Sequence, residues 1–309
     1  MIQSVLSTLY EVIVPLSIPV IAGALLGRFK NLDTKPLLVL YLYFLSPAII
    51  LDTLASADIS FDDVYKTLAF SLINLLFLWA LANGLGRILK LAPAEAAGLT
   101  LVSTFTNSVN YGLPLVLLAF GQLGLDKASV YVIGQMVIVN TVGVYFAARS
   151  QFSVGAAVKS VFSLPAIYAA ILALLLRVFG LHLPAEVASG VSMVAGAYSP
   201  VVLAILGAQM VKVGVAGIER KVEMAFWTGI SVRLVLAPLV AWLVLWLLQI
   251  RGPLFPVLLI LASMPVAVNS VVLAERFRSS PALVSRCILW TTLASFVVLP
   301  VLIVLVNGA

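Results

Sequence analysis

Two stretches of the chain combine uncharged polar side chains with residues that interrupt helices. Residues 104–114 read Thr-Phe-Thr-Asn-Ser-Val-Asn-Tyr-Gly-Leu-Pro, and residues 262–270 read Ala-Ser-Met-Pro-Val-Ala-Val-Asn-Ser. Neither stretch contains a carboxylate, histidine, lysine or arginine. Their chemistry is therefore that of amides and hydroxyls, which bind a ligand by hydrogen bonds without the cost of burying a full charge.

Glycine and proline in these stretches predict broken helices at mid-membrane depth. A broken helix exposes a partly positive N-terminus, which suits an anionic group, and a partly negative C-terminus, which suits a cation. Proline kinks that only pack against neighbouring helices would leave a similar pattern, but two kinks in matching positions favour a binding site. We predict that the substrate is bound by Asn107, Asn110, Gly112, Pro114, Pro265 and Asn269, with Ser108 and Ser270 available to a coupling ion.

Other polar residues lie within apolar segments. Asn140 is predicted to contact the substrate, although a hydrogen bond between helices would explain it as well. Gln135 lies in the same segment and is a candidate for contact with a coupling ion. Arg233 is a further candidate for the coupling or ion site, and it would bind a substrate carboxylate, pair with a buried carboxylate, or extend to the membrane surface.

Two carboxylates remain as candidates for ion coupling. Asp52 would serve in proton coupling or form an ion pair within the scaffold of the fold, and Glu275 would bind a cation or pair with Arg276 or Arg278. Asp62 and its neighbouring aspartate are predicted to be solvated in a loop.

Several functional classes lack the residues that they require. His182 is the single histidine and Cys287 the single cysteine, so a zinc site and a Ser-His-Asp triad are excluded. The sequence has no phosphate-binding GxxxxGK[ST] motif, which argues against direct use of ATP. We expect no enzyme activity and no cofactor.

The composition predicts an integral membrane protein. Hydrophobic residues make up 63% and charged residues 10% of the 309 positions, whereas soluble domains carry about 25% charged residues. Apolar runs of about 20 residues match the thickness of a bilayer. The ten predicted spans are residues 12–29, 36–55, 64–89, 94–120, 128–148, 160–179, 187–211, 222–250, 254–277 and 282–306.

Lysine and arginine are distributed unevenly over the connections between these spans. Thirteen lie in one set of connections and four in the other, namely Lys66, Lys127, Arg177 and Arg251. Cytoplasmic loops collect basic residues, so the first set is predicted to be cytoplasmic and both termini external, or periplasmic in a cell (inner) membrane. The basic residues behind the net charge of +6 are therefore interpreted as orienting the helices in the bilayer, and no nucleic-acid partner is expected.

The two halves of the chain resemble each other weakly. The Ser-Pro pair at Ser46 in span 2 corresponds to the pair at Ser199 in span 7, and the break in span 4 corresponds to that in span 9. Five spans is an odd number, so a repeated half must be inverted, as in many secondary transporters. We predict repeats at 1–150 and 164–309, joined by a short cytoplasmic link at 151–163.

Residues 107–115 are similar to the fourth-helix motif of the auxin efflux carrier family, and residues 263–265, 273–277 and 299–300 resemble its last two helices. The resemblance extends along the whole chain, with a short central link typical of bacterial members. Plant PIN-type carriers belong to this family, and sodium–bile-acid symporters share its wider fold. Plant relatives have a proline beside the fourth-helix asparagine, where this chain has Thr106.

This resemblance implies an all-α integral membrane fold of ten transmembrane helices in two inverted five-helix repeats, with a crossover of broken helices 4 and 9. Helices 1, 2, 6 and 7 would form a scaffold domain that dimerises, and helices 3–5 and 8–10 a transport domain that moves like an elevator. The substrate would be a small organic anion, such as auxin or a dicarboxylate like malate or malonate.

The predicted function is thus secondary transport of a small organic anion. Proton coupling, sodium coupling as in a bile-acid-type symporter, and facilitated diffusion remain open. The remote alternatives are a membrane-embedded enzyme, a sensor and a channel.

Overall fold

A computed structural model describes residues 2–56, 60–138, 142–143, 146, 162–212 and 220–307, and helices account for nearly all of these residues. Among the described residues, one pair of backbone segments forms an isolated antiparallel bridge, and no β-strand is present. The α-helices are α1 Ile2–Thr8, α2 Val14–Phe29, α3 Thr34–Leu40, α4 Ser46–Ser56, α5 Phe61–Ile88, α6 Pro93–Thr104, α7 Leu113–Ile138, α8 Pro165–Val178, α9 Ala185–Gly196, α10 Tyr198–Lys212, α11 Arg220–Ser231, α12 Ala237–Leu247, α13 Leu254–Ala262, α14 Asn269–Phe277 and α15 Pro281–Asn307.

The helices are long and apolar enough for a multi-pass membrane protein. Seven helical stretches in the described part of the chain are long and apolar enough to cross a bilayer, by length and composition alone: Leu6–Phe29, Thr34–Ala55, Phe61–Ile88, Ser108–Ile138, Ala185–Val211, Val222–Leu247 and Pro281–Val306. The other predicted spans are interrupted or short. For example, α13 and α14 have nine residues each, which at 1.5 Å per residue is about half of a 30 Å hydrocarbon core.

Proline shapes four of the membrane helices in the same way. The chain has four fully described π-helical turns, and each ends two residues before a proline: Leu9–Ile13 before Pro15, Tyr41–Leu45 before Pro47, Ser108–Gly112 before Pro114 and Val232–Leu236 before Pro238. A proline has no N–H to donate and its ring crowds the carbonyl four residues earlier. The wider π turn accommodates that ring, so these helices continue through the proline.

Two local predictions need correction. Residues 121–127 were predicted to connect spans 4 and 5, and two helices do meet there across a kink, but the connection is Gly121 alone, with φ 66° and ψ −161°, a positive φ that glycine adopts without strain. Asp62 and Asp63 lie in the first turn of α5 and not in a solvated loop. Ser60 and Asp63 form a capping box, and Asp63 pairs with Lys127 of α7 at 2.8 Å.

Small residues bring α2 and α10 into direct backbone contact. A Cβ atom added at Gly23 would overlap the backbone of Ala204, and one added at Gly207 would overlap the backbone of Val20. Such close approach is the usual function of small residues spaced four apart in membrane helices. Next to this pair, α4 packs against α8 and α9.

Candidate functional site

The two interrupted helices meet at their breaks. The chain is extended between α6 and the following π turn, and again between α13 and α14. Thr106 and Val266 form an antiparallel bridge, in which the Asn107 N–H donates to the Pro265 carbonyl at 2.8 Å and the Ala267 N–H donates to the Phe105 carbonyl at 3.0 Å. We call these two segments, 105–107 and 264–268, the paired breaks.

The backbone groups released by the breaks find partners nearby, as groups buried in a membrane must. The Val266 N–H donates to the hydroxyl of Thr291 on α15 at 3.1 Å, and that hydroxyl donates to the Cys287 carbonyl at 2.6 Å. Pro265 has no N–H, and the carbonyl four residues earlier, that of Leu261, accepts from Met264 at 3.4 Å instead. The extended geometry is therefore held by specific hydrogen bonds.

A cavity of about 70 Å³ lies between the paired breaks, the start of α4 in predicted span 2 and the start of α8 in predicted span 6. This volume holds a few water molecules or a small part of a ligand and is well below the 300–1,000 Å³ of drug-sized sites. The predicted site residues Asn107, Ser108, Asn110, Gln135 and Asn269 all line it. The remaining lining residues are Tyr41, Leu42, Ser46, Thr106, Val109, Met136, Leu164, Ala166, Ala267 and Val268.

Polar atoms in this cavity are buried without a hydrogen-bond partner in the described structure. They include Asn107 Nδ2, a donor, Asn110 Oδ1, an acceptor, and the hydroxyl oxygens of Ser46 and Ser108. Asn269 is exposed to the outside of the fold, so the cavity has a polar side chain at its accessible edge. Buried polar groups are normally satisfied, and such a cluster provides both donors and acceptors to a ligand.

Arg233 is fully buried behind the paired breaks. It lies in the π turn Val232–Leu236, and its Nη1 donates to the Ser103 carbonyl at 3.0 Å while its Nη2 donates to the Ala262 carbonyl. Ser103 is in the last turn of α6 and Ala262 ends α13. Arg233 therefore contacts the C-terminal ends of both half-helices and does not line the cavity.

Comparison with known proteins agrees with this architecture. The family described as "Membrane transport protein" matches residues 5–157 and 153–303, one match in each half of the chain. The chain belongs to this family of transporters. The match fits the resemblance to auxin efflux carriers, and it indicates a role in membrane transport.

Two archaeal proteins similar to this chain are named as transporters. An "Uncharacterized transporter" of Methanothermobacter thermautotrophicus is 28% identical over 262 residues, which cover 82% of this chain and 83% of the relative. The "Uncharacterized transporter MJ1031" of Methanocaldococcus jannaschii is 27% identical over 289 residues, covering 88% and 90%. Both similarities extend over nearly the whole transporter.

Three of the transporter's predicted substrate contacts are outside the cavity lining. Gly112, Pro114 and Pro265 are all buried. A Cβ at Gly112 would lie 2.7 Å from a methyl group of Leu261, so this glycine lets the two broken helices approach closely. Pro265 contributes its carbonyl to the bridge. These residues lack polar side chains, and the structure places them where they shape the breaks.

The remaining predicted residues are dispersed. Ser270 is buried near the start of α14 and does not line the cavity. Asp52 is on α4, where it faces Ser192 of α9. Glu275 is exposed near the end of α14, and no ion pair with Arg278 exists among the described side chains. Asn140 lies outside the described residues.

Sequence reasoning missed four participants in the site. Tyr41 and Ser46 come from the π turn and start of α4, the Tyr198 hydroxyl donates to the Val109 carbonyl at 3.0 Å, and Thr291 holds the second break. The Ser46-Pro47 pair was the available signal for the first two residues, since the proline produces the π turn beside the cavity.

Proposed function

We propose that this transporter carries a small organic anion, which binds in the cavity at the paired breaks. The supporting observation is the set of unsatisfied donors and acceptors on Asn107, Ser108 and Asn110 in one cavity. The N-termini that follow the breaks, at Ser108 and Asn269, add partial positive charge that favours an anionic group.

The arrangement of helices supports an elevator mechanism with two units. In this proposal α1–α4 and α8–α10 form a scaffold, and α5–α7 and α11–α15 form a transport unit that contains both broken helices. The close contact of α2 with α10 belongs to the scaffold, and the hydrogen bonds of Arg233 belong to the transport unit. The cavity lies at the boundary, where a sliding unit would deliver its ligand to either side.

The proposed topology has ten spans in two inverted repeats with both termini external. The two family matches, the corresponding breaks and the thirteen-to-four distribution of basic residues support it. A reporter enzyme fused after Ala309 tests the orientation, because activity on the cytoplasmic side would contradict it.

Counterflow in proteoliposomes tests the transport proposal. Vesicles are loaded with unlabelled malonate, malate or indole-3-acetate, and uptake of a trace of the same labelled anion is measured. A carrier exchanges its substrate, so at least one anion should stimulate its own uptake, whereas a channel or enzyme shows no such stimulation. Failure of all three with folded protein would contradict the proposed substrate class.

Single substitutions connect this activity to the site. Asn107→Ala and Asn269→Ala should each lower counterflow by about tenfold or more, because a hydrogen bond to a charged group is worth about 1.5–3 kcal/mol. Asn74→Ala is the matched control, since Asn74 is a buried asparagine of α5 that does not line the cavity. Near-normal counterflow in both site variants would exclude this cavity as the binding site.

A further inference from the structure

We infer that the Arg233 guanidinium takes the position of a coupling cation at the paired breaks, so that the transporter needs no sodium ion there. This inference rests on the proposed function, because it concerns the ion requirement of the same site. It goes beyond that proposal because it assigns the cation position to Arg233 and predicts that sodium does not change the stability of the transporter.

The two carbonyls that Arg233 contacts are those that the breaks release. In an uninterrupted helix the Ser103 carbonyl would accept from the N–H of residue 107, and the Ala262 carbonyl from that of residue 266. Here the Asn107 N–H donates to Pro265 and the Val266 N–H donates to Thr291. Each released carbonyl accepts from one arm of the guanidinium instead.

The charges balance without a carboxylate. A helix C-terminus carries about −0.5 of an elementary charge, so the two half-helix ends together present on the order of one negative charge. Arg233 supplies one positive charge, it is 0% exposed, and no carboxylate lies within ion-pair distance of it among the described residues. A buried charge requires such compensation, and here the helix ends provide it.

Transporters with discontinuous helices commonly hold Na⁺ or H⁺ at unwound carbonyls and half-helix C-termini. Arg233 occupies both carbonyls with a cation that is part of the chain and stays protonated in proteins. The opposite ends of the breaks, at Asn107 and Asn269, remain for the anion. Arg233 is thus a positioning residue, which holds the two half-helix ends in place and does not touch the ligand.

Pro238 accounts for the position of the Arg233 side chain. The π turn Val232–Leu236 precedes that proline, and it inserts an extra residue into the turn that carries Arg233. The insertion rotates the following helix relative to the preceding one, as π turns at functional sites commonly do.

Thermal unfolding of the purified transporter, in sodium chloride, choline chloride and choline chloride with about 20 mM guanidinium, tests the inference without a transport assay. At that concentration the denaturing effect of guanidinium is negligible, because unfolding free energies change by only a few kcal/mol per molar. The wild-type Tm should be equal in all three solutions. A wild-type Tm that rises in sodium compared with choline would overturn the inference.

Arg233→Ala should lower the Tm by on the order of 5 °C in choline, since two buried carbonyls lose their donor. Sodium or guanidinium should restore at least half of this loss, because either cation can bind the vacated carbonyls and binding stabilises the native state. Equal Tm values in all three solutions would overturn the inference, since a packing defect alone does not distinguish cations.

Two further variants keep the test decisive. Arg286→Ala removes another arginine of the same region, one that stacks on Phe226 at 4.6 Å, and it should show no recovery that depends on the cation. Arg233→Lys keeps the positive charge, so its Tm should be the same in sodium and in choline. This variant tests the inference even if Arg233→Ala does not fold. Cation-specific recovery in Arg286→Ala, or stabilisation of Arg233→Lys by sodium, would contradict the assignment. Wild-type counterflow reports separately on the proposed function.

Discussion

The contact between α2 and α10 and the contact between the paired breaks both bring two backbones together, but by different means. At Gly23 and Gly207 the helices remain intact, and the approach depends on the absence of side chains. At Thr106 and Val266 the helices are interrupted, and the approach depends on hydrogen bonds between extended segments. Among the described residues, the first contact provides no hydrogen bond to a polar group of the partner helix. The second contact depends on such hydrogen bonds.

This difference matches the two roles that we propose. A contact made only by packing tolerates no added atom, which suits a rigid scaffold. A contact made by hydrogen bonds leaves some polar atoms available, which suits a site that exchanges a ligand. Each region should therefore be sensitive to a different kind of substitution.

The largest effect is expected for an added methyl group in the packed contact. Gly207→Ala places a Cβ within the backbone of Val20, where no flexible side chain can move aside, and should cost about 3 kcal/mol. Gly190→Ala is the matched control on α9, because its Cβ would meet nothing within 4 Å and alanine favours a helix. Thermal unfolding of both variants measures the difference, and equal Tm values would contradict the packing account.

A smaller effect is expected where a hydrogen bond at the breaks is removed without changing shape. Thr291→Val deletes the hydroxyl that accepts from the Val266 N–H, and an unsatisfied buried group costs about 1–3 kcal/mol. Thr292 is equally buried, but its hydroxyl oxygen has no hydrogen-bond partner in the described structure, so Thr292→Val should not lower the Tm. A Thr292→Val loss as large as that of Thr291→Val would show that packing dominates at the breaks too.

The smallest effect on stability is expected where the two proposed units touch. Tyr198→Phe removes the hydrogen bond from α10 to the Val109 carbonyl, worth about 1 kcal/mol. If that bond breaks in every transport cycle, counterflow should become a few-fold faster while the Tm falls slightly. Tyr168→Phe, which loses an exposed hydroxyl that contacts Phe162, is the control. Unchanged counterflow in Tyr198→Phe would argue against movement at this contact.

The sequence predicted the parts of this structure that depend on local conformation. Residues such as Gly112 and Pro265 are poor helix formers in any context, so the positions of both breaks were readable. The helical content and the membrane location follow from composition in the same way. The amides of Asn107, Asn110 and Asn269 were predicted to contact the substrate; all three line one cavity, and their role in binding stays a prediction.

The parts that were not predicted depend on tertiary partners. Arg233 was recognised as costly in a membrane, but its partners are backbone carbonyls, which every residue has and which leave no trace in the sequence. Thr291 and Tyr198 likewise bond to backbone groups far away along the chain. The single-residue turn at Gly121 was missed because the polar residues after it indicated a longer loop.

The antiparallel bridge also has a consequence for biosynthesis. Thr106 and Val266 are separated by about half of the chain, so the ribosome synthesises the first segment long before its partner exists. At about 5–20 residues per second this interval lasts many seconds. During that time the Asn107 N–H and the Phe105 carbonyl lack the partners that they have in the bridge, and unpaired backbone groups are costly in lipid. We therefore expect this segment to stay helical, or to stay shielded from lipid, until the second break has been synthesised.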